Sequence, residues 1–323
     1  MFRDRDGRTL YVGKASNLRA RVRSYFSGDD RRKVPQLLRE TARIDHRVCA
    51  GPLEAAVREI RLIHALRPRF NRHGKGAQRC AYLKLTAERF PRLTVVRKVG
   101  ASDRDALGPF HSTAAAHLVR EAIESAVPLR RCNARVPRLA ALTAAPPCLP
   151  AQLGVATCPC RAQVDDAQYA ELVERVRRAL DDEPALVLRP LEERMRRLAR
   201  EERFEEAAAT RDRLRALARA LRRRQRIEPL RRTELIVVDS PEGTVELRHG
   251  RVVLPDDLPP PPDLSAPAAA GEIDELLVVV RWLEDNASRL RVREVAGTYA
   301  TPLPAVAGYE TGRAAGCSAV VPS

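Results

Sequence analysis

The stretch from Leu10 to Val22 constrains this chain more than any other. It reads Leu-Tyr-Val-Gly-Lys-Ala-Ser-Asn-Leu-Arg-Ala-Arg-Val. Residues 8–12 have the composition of a short strand, a turn at Asp6-Gly7 precedes them, and Gly13 ends the strand. Ser16 is placed to cap a helix over roughly 17–26. In that helix Leu18, Val22 and Phe26 make an apolar stripe at i, i+4, i+8, and Arg21 and Tyr25 share a neighbouring face. A tyrosine leaves a strand, a glycine turns the backbone, a lysine follows at once, and the next helix returns an arginine to the same spot.

A polar helix over about 30–42 and a strand near 44–49 follow. A strong helix over 53–66 carries Leu53, Val57, Ile60 and His64 along one side and ends before Pro68. Glu59 lies on it beside the small residues Ala55 and Ala56, and the segment from Leu66 to Asn71 closes the unit. Phosphodiester hydrolysis needs a positioned water, a base for its proton, and positive charge at the phosphate. A hard divalent cation on a carboxylate supplies much of that charge. One Glu, one or two Tyr, an Arg and a Lys are a sufficient set.

Charge agrees with a polyanionic target. The formal net charge is +16, a field that attracts nucleic acid. Only five of the 58 basic residues are lysines, all within the first 98 positions, and Lys14 sits in the motif itself. No apolar run approaches the ~18 residues of a spanning helix. The start (Arg3, Asp4, Arg5, Asp6) has no signal-peptide core, so a soluble cytoplasmic protein without membrane contact is expected.

The Leu10–Val22 segment, with Ser24-Tyr25-Phe26 after it, resembles the second half of the GIY-YIG nuclease signature in the wording of UvrC/Cho-like excinucleases. Glu59 and Asn71 stand at the spacings of that family. Taken singly each residue is ordinary; their joint spacing carries the likeness. The resemblance implies a small antiparallel sheet flanked by helices, with Tyr11, Lys14, Arg21 and Glu59 as catalytic residues. Glu59 would bind Mg²⁺ or Mn²⁺, Arg21 and Lys14 would stabilise phosphate, and Tyr11 would orient water or phosphate. Lys14, Arg19, Arg21, Arg23, Tyr25 and Asn71 would contact DNA. In the family a strand with Gly-Val/Ile-Tyr comes just before the position of Met1, and this chain lacks it. A late start, a fragment or a site that has lost part of its machinery would each account for that.

The likeness continues. Residues 81–86, 90–93, 108–110 and 129–132 resemble the segment after the UvrC nuclease module, with strands over 80–86 and 92–98 and a helix over 112–127. Seven cysteines in a cytoplasmic chain argue against a disulfide framework. Cys132, Cys148, Cys158 and Cys160 resemble the family's cysteine-rich connector, which implies an iron–sulfur cluster or zinc. The family's Cys-x-x-Pro-Cys ending is Cys-Pro-Cys here, so reduced structural thiols are the alternative. Helices are expected over 166–180, 187–201 and 203–224.

Residues 187–221 resemble the UVR hairpin, implying a UvrB-like partner. Leu188, Leu191, Met195 and Leu198 would face Ala207, Ala208, Arg211 and Leu214 across an exposed seam, or the hairpin is a plain packing element. Residues 234–254 alternate like a meander and 271–286 read as a helix with the tryptophan, Trp282. Residues 281–284 resemble the end of proteins in which a polymerase III epsilon-type exonuclease precedes a UvrC-like half. The expected division is a nuclease domain over 1–75, a connector over 76–165, a helical region over 166–230, and an α+β region over 231–323 with a Pro-rich loop at 255–268.

The overall expectation is an α/β chain acting as a metal-dependent DNA endonuclease in nucleotide excision repair-like work. The alternative is a catalytically impaired DNA- and partner-binding protein on the same fold; an RNA-directed protein rests on charge alone.

Overall fold

The computed structural model describes residues 1–26, 34–71, 80–133, 148–159, 164–297 and 299. Cys160 and the first residues of the helix expected over 30–42 lie outside them. The chain divides into two compact units.

One unit holds residues 1–79, 227–264 and 268–300. It begins with β1 (Phe2–Arg3) and β2 (Thr9–Tyr11), paired antiparallel with Phe2 opposite Tyr11. The Asp4 carboxylate ties the turn between them by accepting from the Asp6 and Arg8 amides at 3.0 and 2.8 Å. Gly7, at φ 80°, takes the left-handed position that the turn needs. After α1 (Leu18–Phe26) and α2 (Val34–Glu40) comes β3 (Arg43–Ile44), which flanks β1 on its other side. α3 (Pro52–Leu66) starts on proline and stops at Arg67 in the left-handed region (φ 48°), followed by Pro68.

Two details of α1 differ from the sequence reading. Asn17, not Ser16, caps it, with Oδ1 accepting from the Ala20 amide at 2.9 Å. The Leu18–Val22–Phe26 stripe is not the buried face: Leu18 and Phe26 are exposed and Tyr25 is the buried residue.

α3 has a second set of neighbours within the same unit. β7 (Leu235–Ser240), β8 (Gly243–Arg248), β9 (Arg251–Val252) and β10 (Arg291–Ala296) form a sheet in the order β10-β7-β8-β9. With α9 (Ala270–Asp285) this sheet has one helix of its own. Leu53 and Val57 of α3 share its core with Leu230, Ile236, Val238 and Leu276. Residues past 231 are therefore not packed by themselves; their apolar face needs α3.

The other unit holds residues 80–226 with short additions. β4 (Ala81–Leu85) is the centre of a sheet ordered β5-β4-β6, where β5 is Leu93–Val96 and β6 is Leu107–Phe110. α4 (Thr113–Ala126) is capped by Ser112, whose hydroxyl accepts from Ala115 N–H. A single-turn α5 (Leu149–Gln152) precedes α6 (Asp166–Asp181), which opens on an Asp165/Gln168 capping box. α7 (Ala185–Arg200) and α8 (Phe204–Arg232) make the expected hairpin. Its seam is not exposed: Leu188, Leu191, Leu198 and Leu214 are buried. Leu188, Leu191 and Leu214 join one core with Val119 and Ile123 of α4 and Val173 and Val176 of α6. Burying leucines at ~1.5–3 kcal/mol each outweighs leaving them to an absent partner. Among the described residues no helix is long and apolar enough to cross a membrane.

Candidate functional site

Three aromatic rings, from two paired strands and α1, set the first site. Phe2, Tyr11 and Tyr25 meet edge-to-face, with centroids 5.8 Å (Phe2–Tyr11), 5.2 Å (Phe2–Tyr25) and 6.2 Å (Tyr11–Tyr25) apart. The Arg21 guanidinium carbon lies 5.1 Å over the Tyr25 ring, as four-residue helical spacing permits. The Tyr11 ring folds over the backbone of Gly13. A Cβ on Gly13 would stand 2.8 Å from Tyr11 Cε1 and 3.0 Å from its hydroxyl, so a larger residue would push the Tyr11 ring from this place.

Asn71 holds the strand from the other side. Its Oδ1 accepts from Val12 N–H at 2.9 Å and its Nδ2 donates to the Val12 carbonyl at 2.8 Å, while Phe70 N–H donates to Leu10 O. Asn71 and Tyr25 are both buried. Their geometry gives them packing work: Asn71 aligns Val12 and Tyr25 anchors α1. Lys14, Arg19, Arg21 and Arg23 are exposed. Among the described residues, no carboxylate pairs with Lys14, Arg19 or Arg21.

Glu59 is half-buried on α3. At about 100° per residue, it projects about 160° away from Val57 around the helix axis. It therefore leaves the face that packs on the C-terminal sheet and shares a side with the buried Ala56 and Ile63. The C-terminal face of α3 is fixed by charge as well as by packing. Arg58 pairs with Glu54 at 2.6 Å and Asp256 at 2.5 Å, and Arg61 with Glu275 at 2.5 Å and Asp257 at 3.0 Å. The hydrogen bonds from Arg58 and then Arg47 hold the Asp256 carboxyl down to about 2. Sequence reasoning missed this network, because apart from Glu54 its carboxylates, Asp256, Asp257 and Glu275, come from far along the chain and no local spacing announces them.

In the other unit, the Sγ atoms of Cys132, Cys148 and Cys158 all lie within 4.8 Å of one another. Cys158 is 3.3 Å from Cys132 and 3.2 Å from Cys148 (Sγ–Sγ), well beyond the ~2.0 Å of a disulfide. Three soft donors at this separation suit a thiophilic metal or cluster, and tetrahedral zinc with ~2.3 Å bonds would need the sulfurs to open only slightly. Beside them Arg130 is fully buried. Its Nε donates to Phe90 O at 2.6 Å, and its other nitrogens reach Glu88 and the Cys132 carbonyl. Tyr169 accepts from Arg130 N–H at 3.0 Å and donates to Pro91 O at 2.7 Å, and burial pushes its phenol up to about 12.

Three family descriptions match the chain in succession: a UvrC-like GIY-YIG domain over residues 1–72, the middle domain of UvrC/Cho excinuclease over 80–179, and a UvrB/UvrC motif over 186–220. The chain belongs to the UvrC-like GIY-YIG family. It is 33% identical to a Mycobacterium tuberculosis protein named as a bifunctional exonuclease/endonuclease, over 90% of this chain and 48% of that protein. It is also 33% identical to UvrABC system protein C of Desulforudis audaxviator, over 78% of this chain and 42% of that one. Against the protein of the same name from Methanothermobacter thermautotrophicus the figures are 30%, 80% and 44%. The chain thus spans about half the length of the curated relatives it matches. No solved structure matches it.

Within this UvrC-like chain, the GIY-YIG match covers Tyr11, Lys14, Arg21, Glu59 and Asn71, and the middle-domain match covers Cys132, Cys148 and Cys158. Around the thiols, the sequence reading included Arg130 in the 129–132 segment without giving it a role, and it passed over Tyr169. The only local signal was a charged residue two positions before Cys132, which does not foretell burial.

Proposed function

We propose that the chain is a metal-dependent DNA endonuclease that cuts one phosphodiester beside Tyr11, in excision of the UvrC type. The observation that carries this reading is the Tyr11–Tyr25 ring pair, with the Gly13 backbone under Tyr11, the Arg21 guanidinium over Tyr25, and Lys14 and Arg19 exposed. Glu59 is the residue to hold Mg²⁺ or Mn²⁺, and a cation there would neutralise charge on the phosphoryl oxygens. Arg21 and Lys14 bind the non-bridging oxygens, Arg19 and Arg23 hold flanking phosphates, and the Tyr11 hydroxyl orients water toward phosphorus. Water then replaces one ester oxygen, which leaves with a proton.

Two further parts belong to the same reading. Cys132, Cys148 and Cys158 hold a zinc ion or an iron–sulfur cluster that organises the connector. The α7–α8 hairpin engages a UvrB-like protein through its tip, where Phe204 is exposed.

A nicking assay on a lesion-bearing duplex with Mg²⁺ tests the central claim. The wild-type chain is expected to nick, and Glu59→Ala to lose at least a hundredfold in rate while keeping DNA affinity. Equal nicking by both proteins would remove Glu59 from its role. Salt-sensitive binding with no cutting by either would make the chain a binding protein instead.

A further inference from the structure

A cavity of about 740 Å³ between the middle domain and the α7–α8 hairpin is lined by none of the residues placed at the nuclease centre. Five arginines line it from five separate places in the sequence. Arg92 precedes β5, Arg120 is on α4, Arg131 follows α4, Arg194 is on α7 and Arg213 is on α8. Two carboxylates, Glu121 and Glu124, line it with them, so the lining cations outnumber the lining anions by five to two.

The pairing is also incomplete atom by atom. Arg213 is paired with Glu121 at 3.1 Å. Glu124 has to serve two guanidinium groups, with Arg120 Nε at 3.7 Å and Arg131 Nε at 3.6 Å, both too long for a hydrogen bond. The Nε of Arg92 stands 3.7 Å from Glu88. The Nε groups of Arg92, Arg120 and Arg131 are all buried without a hydrogen-bond partner. Native proteins rarely leave a buried N–H unpaired, and three on arginines that line one cavity point to an acceptor that belongs there. Burial pushes the Glu124 carboxyl up, against the pull of Arg120 and Arg131, so the one buried anion is itself disfavoured as an anion.

Guanidinium groups are planar forks matched to tetrahedral oxyanions, and the cavity is large enough for a phosphate with its sugar. We propose that this cavity is a second phosphate-binding site, separate from the nuclease centre and from the thiols. The phosphate group comes either from a DNA backbone or from a free nucleotide. The DNA source rests on the nuclease reading; phosphate binding itself does not.

The test uses the full chain in EDTA, so that no cutting is involved. A fluorescent duplex is titrated by anisotropy across a potassium chloride series, and ADP is titrated by calorimetry, for the wild type and Arg120→Gln/Arg131→Gln. If the source is DNA, the double variant weakens duplex binding and flattens the salt slope by about 1, the loss of one phosphate contact. If the source is a nucleotide, ADP binds the wild type, at least tenfold more weakly the variant, and duplex binding is unchanged. Either outcome supports the site. A folded variant that matches the wild type in both titrations overturns it. Arg194→Gln is the second variant: Arg194 is exposed, so its loss leaves folding alone, and it is expected to move the same titration in the same direction. A wild type that does not bind DNA at all refutes the nuclease reading, and the ADP titration alone then decides the cavity.

Discussion

Glu275 offers the sharpest test of how α3, the helix that carries Glu59, is held in place. Its side chain is 1% exposed and accepts from Arg61 at 2.5 and 3.1 Å, from Arg251 at 3.2 Å through two nitrogens, and from the Val252 amide at 3.2 Å. Arg61 and Arg251 are themselves only 12% and 18% exposed. Burial works against the Arg61 charge, and the Glu275 and Asp257 carboxylates more than offset it, holding its pKa above the ordinary value. Glu275→Ala would leave two mostly buried cations short of their shared partner. Breaking such a pair costs ~3–5 kcal/mol. Arg61 keeps Asp257 and the Val252 carbonyl, so the lower end applies, about 3 kcal/mol.

For a unit of this size that is a fall of roughly 6–12 °C in melting temperature. The protein has one tryptophan, Trp282, on α9 and packed against the same core, so its fluorescence reports this unit's melting directly. Asp257→Ala is the control: its pair with Arg61 is about half exposed on the carboxylate side and is worth under ~1 kcal/mol. Should Glu275→Ala melt within 2 °C of that control, the buried ion cluster is not what fixes α3, and the reasoning fails.

Asn71→Ala would strand both backbone groups of Val12 in a buried setting and is expected to cost roughly 2–3 kcal/mol in urea unfolding. Asn71→Asp, which sets a carboxylate oxygen against the Val12 carbonyl in a buried place, should cost at least as much. Asp256, held at about 2 chiefly by Arg58, has a folded pKa below its ordinary 3.8. Its stabilising contribution is then complete above about pH 4 and lost as pH falls toward 2. Carboxyl NMR of wild type and Arg58→Met should show that midpoint climb toward 3.8 when the guanidinium is gone.

Local signals in the sequence were faithful where one residue decides a turn or a period. Gly13 leaves room for the Tyr11 ring that folds over it, and the strand–glycine–helix order followed from adjacent residues alone. The Leu53–Val57 stripe was legible as a buried face of α3, but its partners Leu230 and Leu276 lie some two hundred residues on, and periodicity carries no address. On α1 the periodic reading chose wrongly for a physical reason. A nine-residue helix against very short strands has room for one large anchor, and Tyr25 gains two ring contacts that Leu18 and Phe26 cannot. Capping was misplaced by one residue because Ser16 and Asn17 both favour the role, and only backbone geometry selects between them. β10, Arg-Val-Arg-Glu-Val-Ala, went unread because its side chains are almost all exposed and give no apolar alternation toward a core.

The net charge of +16 was the broadest clue and the least specific one, and the structure sorts it. Arg58, Arg61, Arg130 and Arg251 are internal fastenings, each bound to a carboxylate and removed from any role in attracting a polyanion. Lys14, Arg19 and Arg21 stand exposed beside Tyr11 without a carboxylate partner among the described residues, and the Nε groups of Arg92, Arg120 and Arg131 are buried without an acceptor. Attraction at long range depends on the total, but grip depends on cations whose own partners do not compete. Neutralising a member of the first group should therefore cost stability and leave the salt dependence of DNA binding unmoved, whereas neutralising Lys14, Arg19 or Arg21 should change that dependence and spare the fold.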